Sequence, residues 1–201
     1  MSDINTPSRD ITTLEVCNRA IDLAGGQRIN SFDDKVEENR LSKLHFRFIR
    51  DKLLWDHDWS WASNYIEIAK SSTDPAVDEW DYMYAINFSD YIRLREFIDS
   101  NPLYEIGYDG AEKTRVIYTN ESSPIKIRYT GIPTTTAWSP GFVDAVVYLL
   151  AAEMSRTLME TTTASGELFA MGEARKMEAM EVDANENNFS EDIVDLLVNL
   201  R

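Results

Sequence analysis

The stretch Ser139-Pro140-Gly141-Phe142-Val143-Asp144-Ala145-Val146-Val147-Tyr148-Leu149-Leu150-Ala151-Ala152-Glu153-Met154 decides the fold. Ser139 stands where an N-cap side chain accepts from a free helix amide. Pro140 follows at the first helical position, where its missing N–H costs nothing. From Phe142 to Leu158 apolar residues fall almost all round the helical wheel, which predicts a central helix buried on most sides. Each fully buried Leu, Val or Phe is worth about 1.5–3 kcal/mol, so this segment anchors the fold. The apolar run from Phe142 to Ala152 contains Asp144 and falls short of the roughly 20 residues that span a bilayer, so no membrane span is expected.

Working outward toward the C-terminus, Thr161-Thr162-Thr163-Ala164-Ser165-Gly166 reads as a break. A further helix is predicted over about Glu167 to Val182, with Leu168, Met171, Ala174 and Met177 turned inward. Asp183 to Glu191 is polar and acidic and reads as a linker. Ile193, Val194, Leu196, Leu197, Val198 and Leu200 then form a short apolar tail suited to docking, on this subunit or on another, and to ordering on assembly.

Toward the N-terminus, Thr12 and Glu15 form a capping box at the start of a helix running to about Ala24, with Leu14, Cys17, Ile21 and Ala24 at helical spacing. Gly25-Gly26 stops it. A second helix is predicted from about Lys35 to Asp56. Leu41, Leu44, Phe48 and Trp55 lie near one face, and Phe46, Ile49 and Leu53 widen it. A helix apolar over more than one stripe packs against more than one neighbour.

Between these helical ends the period changes to two. Ile125-Lys126-Ile127-Arg128-Tyr129 and Ile92-Arg93-Leu94-Arg95 alternate cleanly, and Tyr65 to Ala69 is a shorter strand. Leu103 to Ile106 and Thr114 to Tyr118 flank a turn signal at Tyr108-Asp109-Gly110. Four to six short antiparallel strands are expected. The fold class is therefore α+β: a helical bundle from residues 1–63 and 138–185, a β-rich insertion over 64–137, and an extended tail over 186–201.

Asp and Glu number 35 against 20 Lys and Arg, a net charge of −15, which argues against a protein that grips nucleic acid through phosphates. Cys17 is the single cysteine, so neither an internal disulfide nor a multi-cysteine zinc site can form, in keeping with assembly in a reducing cytoplasm. Met1 to Arg9 is polar and lacks the apolar core of a signal peptide.

No residue set points to catalysis or to a cofactor. His45 sits among packing positions, and His57, between Asp56 and Asp58, reads as a polar residue at a helix end. Asp33, Asp34, Glu37 and Glu38 favour a helix N-terminus through its dipole and lack the loop spacing of a calcium site. No phosphate-loop or dinucleotide fingerprint occurs. The aromatic clusters Trp55, Trp59, Trp61, Tyr65 and Trp80, Tyr82, Tyr84, Phe88 fit core packing or a subunit interface. Trp80, Tyr82 and Tyr84, with Ile193, Leu196, Leu197 and Leu200 of the tail, are the candidate partner-binding residues. Alternatives are a virion-associated glycosidase acting on peptidoglycan through paired carboxylates, and a non-catalytic protein-binding module.

The order of these segments resembles the tail tubular protein A family, the ring adaptor between portal and nozzle in short-tailed phages. The likeness covers roughly residues 12–185. It rests on Ala20-Ile21-Asp22-Leu23-Ala24-Gly25 with Arg28-Ile29-Asn30-Ser31-Phe32-Asp33-Asp34, and on Asp51 to Leu54 followed by His57-Asp58-Trp59-Ser60-Trp61-Ala62. It continues through Tyr84-Ala85-Ile86 with Asp90-Tyr91-Ile92-Arg93, Ile127-Arg128-Tyr129, Phe142-Val143-Asp144-Ala145 and Leu150-Ala151-Ala152-Glu153. Asp58 and Trp61 depart from the family's usual proline and phenylalanine, and no proline stands between Ile86 and Asp90. The resemblance implies a structural virion protein assembled in the host cytoplasm: a ring of twelve copies in the tail neck, clamped between portal and tail nozzle, with tail fibres nearby. DNA would pass through without specific binding, and the family assigns no undisputed catalytic residue.

Overall fold

A computed structural model describes residues 11–75, 78–110, 113–122, 124–159 and 162–187. The fold is α+β, with four helices and two antiparallel three-stranded sheets among the described residues. The chain divides into two compact units, one spanning Ala62–Ile132 and the other the remainder.

In the helical unit, α1 (Thr13–Leu23) starts as its capping box requires. Thr12 Oγ1 accepts from the Glu15 amide at 3.2 Å, and Glu15 Oε2 accepts from the Thr12 amide at 2.7 Å. It ends in a Schellman motif: the Gly26 amide donates to the Ile21 carbonyl and the Gly25 amide to that of Asp22. Gly25 takes φ +72°, the left-handed conformation that favours glycine. The side-chain amide of Asn18 then pins the connector by bonding both the amide and the carbonyl of Ile29 at 2.9 Å.

α2 (Glu37–Asp56) and α1 both pack on α3 (Pro140–Leu158), whose cap Ser139 accepts from the Phe142 amide at 3.3 Å. α3 buries Phe142, Val146, Leu150 and Met154 completely, as its all-round apolar pattern predicts. Phe142 is the hub of an aromatic cluster, with ring centroids of Trp59, Trp61 and Trp138 at 5.1, 4.9 and 4.9 Å. α4 covers Thr162–Asn187, longer at both ends than the sequence pattern indicates. Thr162 to Gly166 is helical rather than a break. The acidic stretch after Val182 continues the helix to Asn187 instead of forming a linker at once.

The β unit contains β1 (Ser63–Ile68), β2 (Tyr82–Ile86), β3 (Arg93–Phe97), β4 (Tyr104–Asp109), β5 (Thr114–Thr119) and β6 (Ile125–Thr130). One sheet has the order β1-β6-β3, the other β2-β5-β4. β6 pairs with β1 in the register Ser63↔Thr130 to Ile68↔Ile125, and with β3 through a bulge between Leu94 and Glu96. The two sheets share one core of Ile68, Tyr84, Ile86, Leu94, Ile117, Ile125, Ile127 and Tyr129, the inward residues of alternating strands.

Candidate interaction surface

α4 is inverted relative to its hydrophobicity. Its buried positions are Ser165, Gly172, Lys176, Ala179 and Asp183, a stripe of small and polar residues at helical spacing. Phe169, Met171, Met177 and Val182 are exposed, Met177 to 62%. Of the residues assigned inward by the sequence pattern, Leu168 is half-buried, whereas Met171, Ala174 and Met177 lie outward.

Packing explains the small residues. A Cβ on Gly172 would lie 2.7 Å from Leu149 Cγ, and one on Gly141 2.8 Å from Ala179 Cβ, so α3 and α4 approach too closely for larger side chains. Specific partners explain the polar ones. Ser165 Oγ donates to the Ala152 carbonyl at 2.8 Å and accepts from Arg156 Nε at 3.1 Å.

Asp183, only 3% exposed, is the most connected. It accepts from Ser60 Oγ at 2.7 Å, from the Ser60 amide at 3.2 Å, and from His57 Nε2 at 3.0 Å. The His57 ring stands edge-on to Trp59 at 4.7 Å. Lys176 Nζ reaches Glu173 at 2.6 Å and Asp56 at 3.5 Å. Burial acts to lower the Lys176 ammonium, but the hydrogen bond and charge of Glu173, with Asp56, outweigh it and hold the group above the ordinary lysine value. The buried face of α4 is thus a polar clamp on the turn that follows α2.

The Asp183–His57–Ser60 grouping has the residue types of a hydrolase triad but not its connectivity. The serine hydroxyl donates to the carboxylate, which stands between serine and imidazole, so His57 is not placed to take the hydroxyl proton. Carboxylates also face a cavity of about 350 Å³ lined by Ser139, Gly141, Asp144, Arg175, Glu178 and Asp183. Glu178 pairs with Arg175 at 2.8 Å, and Asp144 with Arg19 at 3.2 Å. Elsewhere on the surface, Glu15, Asp22 and Glu37 are held below the ordinary carboxylate range by hydrogen bonds from Thr12, Arg28 and Arg40 respectively.

The acidic cluster before α2 serves the chain turn. Asp34 Oδ2 accepts from the Asn30 and Ser31 amides, Glu38 from that of Gln27, and Glu37 pairs with Arg40. No group of three or more metal-ligating side chains occurs among the described residues, and no helix there is long and apolar enough to cross a membrane.

The aromatic candidates separate. Tyr84 is fully buried in the core between the sheets, its hydroxyl donating to the Glu121 carbonyl at 2.6 Å; within this subunit it is a packing residue with no surface to offer. Tyr82 is half-buried beneath Lys70 Nζ, 4.6 Å from the ring centroid. Trp80 packs on the opposite face of its sheet with Met83, Val116 and Tyr118, and its Nε1 donates to Glu105 at 3.2 Å. Ile193, Leu196, Leu197 and Leu200 lie outside the described residues.

Two exposed apolar sets escaped the sequence reading. Leu103 (85% exposed), just before the edge strand β4, and Tyr104, Ile106 and Tyr108 along it are open; the alternation of the three strand residues with Glu105, Gly107 and Asp109 was the available signal. On α2, Leu44, Phe48 and Trp55 are exposed although the periodicity placed them with the core. Leu41 and Leu53 are buried as the pattern places them, and so is Leu54. A scan against family models finds no match for this chain, and a search of curated proteins finds none similar to it.

Proposed function

We propose that this chain is a structural subunit of the tail tubular protein A type: one member of a ring joining portal to tail nozzle in a short-tailed phage. The reading rests on the resemblance of segment order, and on one observation above all. α4 buries Lys176 and Asp183 while Phe169, Met171, Met177 and Val182 stay open to solvent. Leaving those apolar side chains in water gives an isolated monomer no stability of its own. A subunit whose neighbours cover those side chains gains about 25 cal/mol for each Å² of apolar surface removed from water. The exposed row on β4 adds a second surface of the same kind.

The charge balance agrees with a channel. A lumen rich in Lys and Arg would hold DNA by releasing its counterions, whereas a subunit at −15 lets the duplex slide. In this reading the protein works by assembly, in the neck of the virion, and binds DNA without sequence preference or grip.

The test is negative-stain imaging of the purified chain mixed with its portal. Rings of about a dozen subunits seated on the portal are expected from the closed symmetry such adaptors need. A chain that stays monomeric with portal present refutes the reading and favours a module that binds some other protein.

A further inference from the structure

We propose that Phe48 of one copy seats in the cavity between the start of α3 and the end of α4 of the next copy, so that subunits meet head to tail. The inference deepens the ring reading and rests on it for closure into a ring.

The knob comes from α2. Phe48 is 72% exposed, more than any other large apolar side chain on the described helices. Leu44, one turn earlier, is also exposed and falls about 40° from it at ~100° per residue. The border of this pair is basic. Arg47 precedes Phe48, Lys52 follows one turn later, and Lys43 stands beside Leu44. Between Arg40 and Lys52, five basic residues stand against one acidic, in a chain whose net charge is −15.

The hole comes from the contact of α3 with α4. Gly141, Ala179 and Val182 supply apolar wall, and the first two are small enough to leave the space open. The cavity measures about 350 Å³, more than the ~150 Å³ that accepts a benzene ring. Its rim is acidic: Asp144, Glu178 and Glu186 outnumber Arg175.

Charge selects a second copy as the occupant. An aromatic ring with a basic border meets an apolar hole with an acidic rim, and each copy carries one of each. Arg47 with Asp51, Lys52 with Asp56, Glu178 with Arg175 and Asp144 with Arg19 are surface pairs, which contribute little and exchange partners freely. Phe48 is in solvent within its own chain, so the match is made between chains. A knob that fills a different patch on the next copy is a heterologous contact, the kind that closes into rings. It also covers Val182, part of the apolar surface that α4 leaves open.

The test uses two full-length variants. Phe48→Asp removes the knob, and Val182→Arg blocks the cavity and reverses its rim. Both positions are exposed, so urea unfolding of each should match the unmodified chain. Sedimentation velocity is measured for each alone, for their equimolar mixture, and with portal added. The unmodified chain should associate beyond a dimer. Each variant alone should associate at least about tenfold more weakly, the effect of losing one buried Phe side chain. The mixture should stop at a one-to-one pair, because one knob and one cavity remain usable between the two variants. Association of Phe48→Asp equal to that of the unmodified chain overturns the proposal. So does a mixture that stays monomeric or grows past the pair. The ring reading fails separately. Pairs in the mixture, with no rings of the unmodified chain on portal, keep this contact and refute the ring. Rings of Phe48→Asp seated on portal keep the ring and refute this contact.

Discussion

Replacing Asp183 by alanine, beside Met177 by aspartate, sets the two faces of α4 against each other. Asp183 accepts three hydrogen bonds, from Ser60 Oγ, the Ser60 amide and His57 Nε2. Deleting the carboxylate strands these donors, at about 1–3 kcal/mol for each that water cannot reach. Breaking a fully buried charged pair costs about 3–5 kcal/mol. The His57 side chain is 19% exposed, so water recovers part of that, which places the expected loss near 3 kcal/mol. For a chain of this length that corresponds to a melting temperature lower by about 6–12 °C. Asp183→Asn keeps an acceptor for Ser60 and should lose about half as much.

Met177→Asp removes an apolar side chain that is already in water, and should change the stability of the isolated subunit by less than about 0.5 kcal/mol. Its effect should fall on assembly, where a carboxylate would have to be buried against a neighbour. The assay is urea unfolding of the isolated chain followed by ring formation with portal. A loss below about 1 kcal/mol in Asp183→Ala, or a larger loss in Met177→Asp than in Asp183→Ala, refutes the assignment of faces.

Four further outcomes follow from the structure. Gly25→Ala puts a Cβ on a residue at φ +72° and should cost about 1–2 kcal/mol in urea unfolding. Gly172→Ala should destabilise by about 1–2 kcal/mol, since overpacking against Leu149 outweighs the gain in helix propensity. Gly166→Ala, with open space around it, should stabilise by about 0.5–1 kcal/mol. Burial, with the Asp90 charge and hydrogen bond, pushes the Tyr129 phenol up to about 12. Its folded value lies above the unfolded one, so its stabilising contribution is complete below about pH 10 and is lost as pH rises toward 12. An absorbance titration at the tyrosinate band should lose one late-titrating phenol in Tyr129→Phe.

Local signals carried their information faithfully. Thr12 with Glu15, Gly25 with Gly26, and Ser139 with Pro140 each act within one turn, and each makes the predicted contacts. The alternation around Ile127 and Leu94 likewise marked real strands. What stayed hidden depends on residues distant in sequence. Nothing in the order of strands announces that β6 pairs with both β1 and β3. β2 was obscured because Tyr84 and Met83 are both buried, one on each face of the sheet, so period two left no trace.

The face of α4 was misread for a deeper reason. Periodicity assumes that the apolar side of a helix turns inward, but that follows only when the inner neighbour leaves room and offers no polar partner. α3 leaves no room at Gly172, and the turn after α2 offers His57 and Ser60 to Asp183, more than a hundred residues away in the chain. Satisfied hydrogen bonds and close backbone approach then outweigh the transfer of a methionine. A helix that resolves this competition with its apolar side chains outside carries a cost as a monomer, and an uncovered α4 should therefore be the stickiest surface of the isolated subunit. Concentration-dependent sedimentation of the free chain tests this. Self-association that Met171→Asp/Val182→Asp abolishes is expected, whereas self-association unchanged by that pair would mean that another face drives it. At ~100° per residue Met171 and Val182 lie within about 20° of each other, so one double substitution addresses one seam.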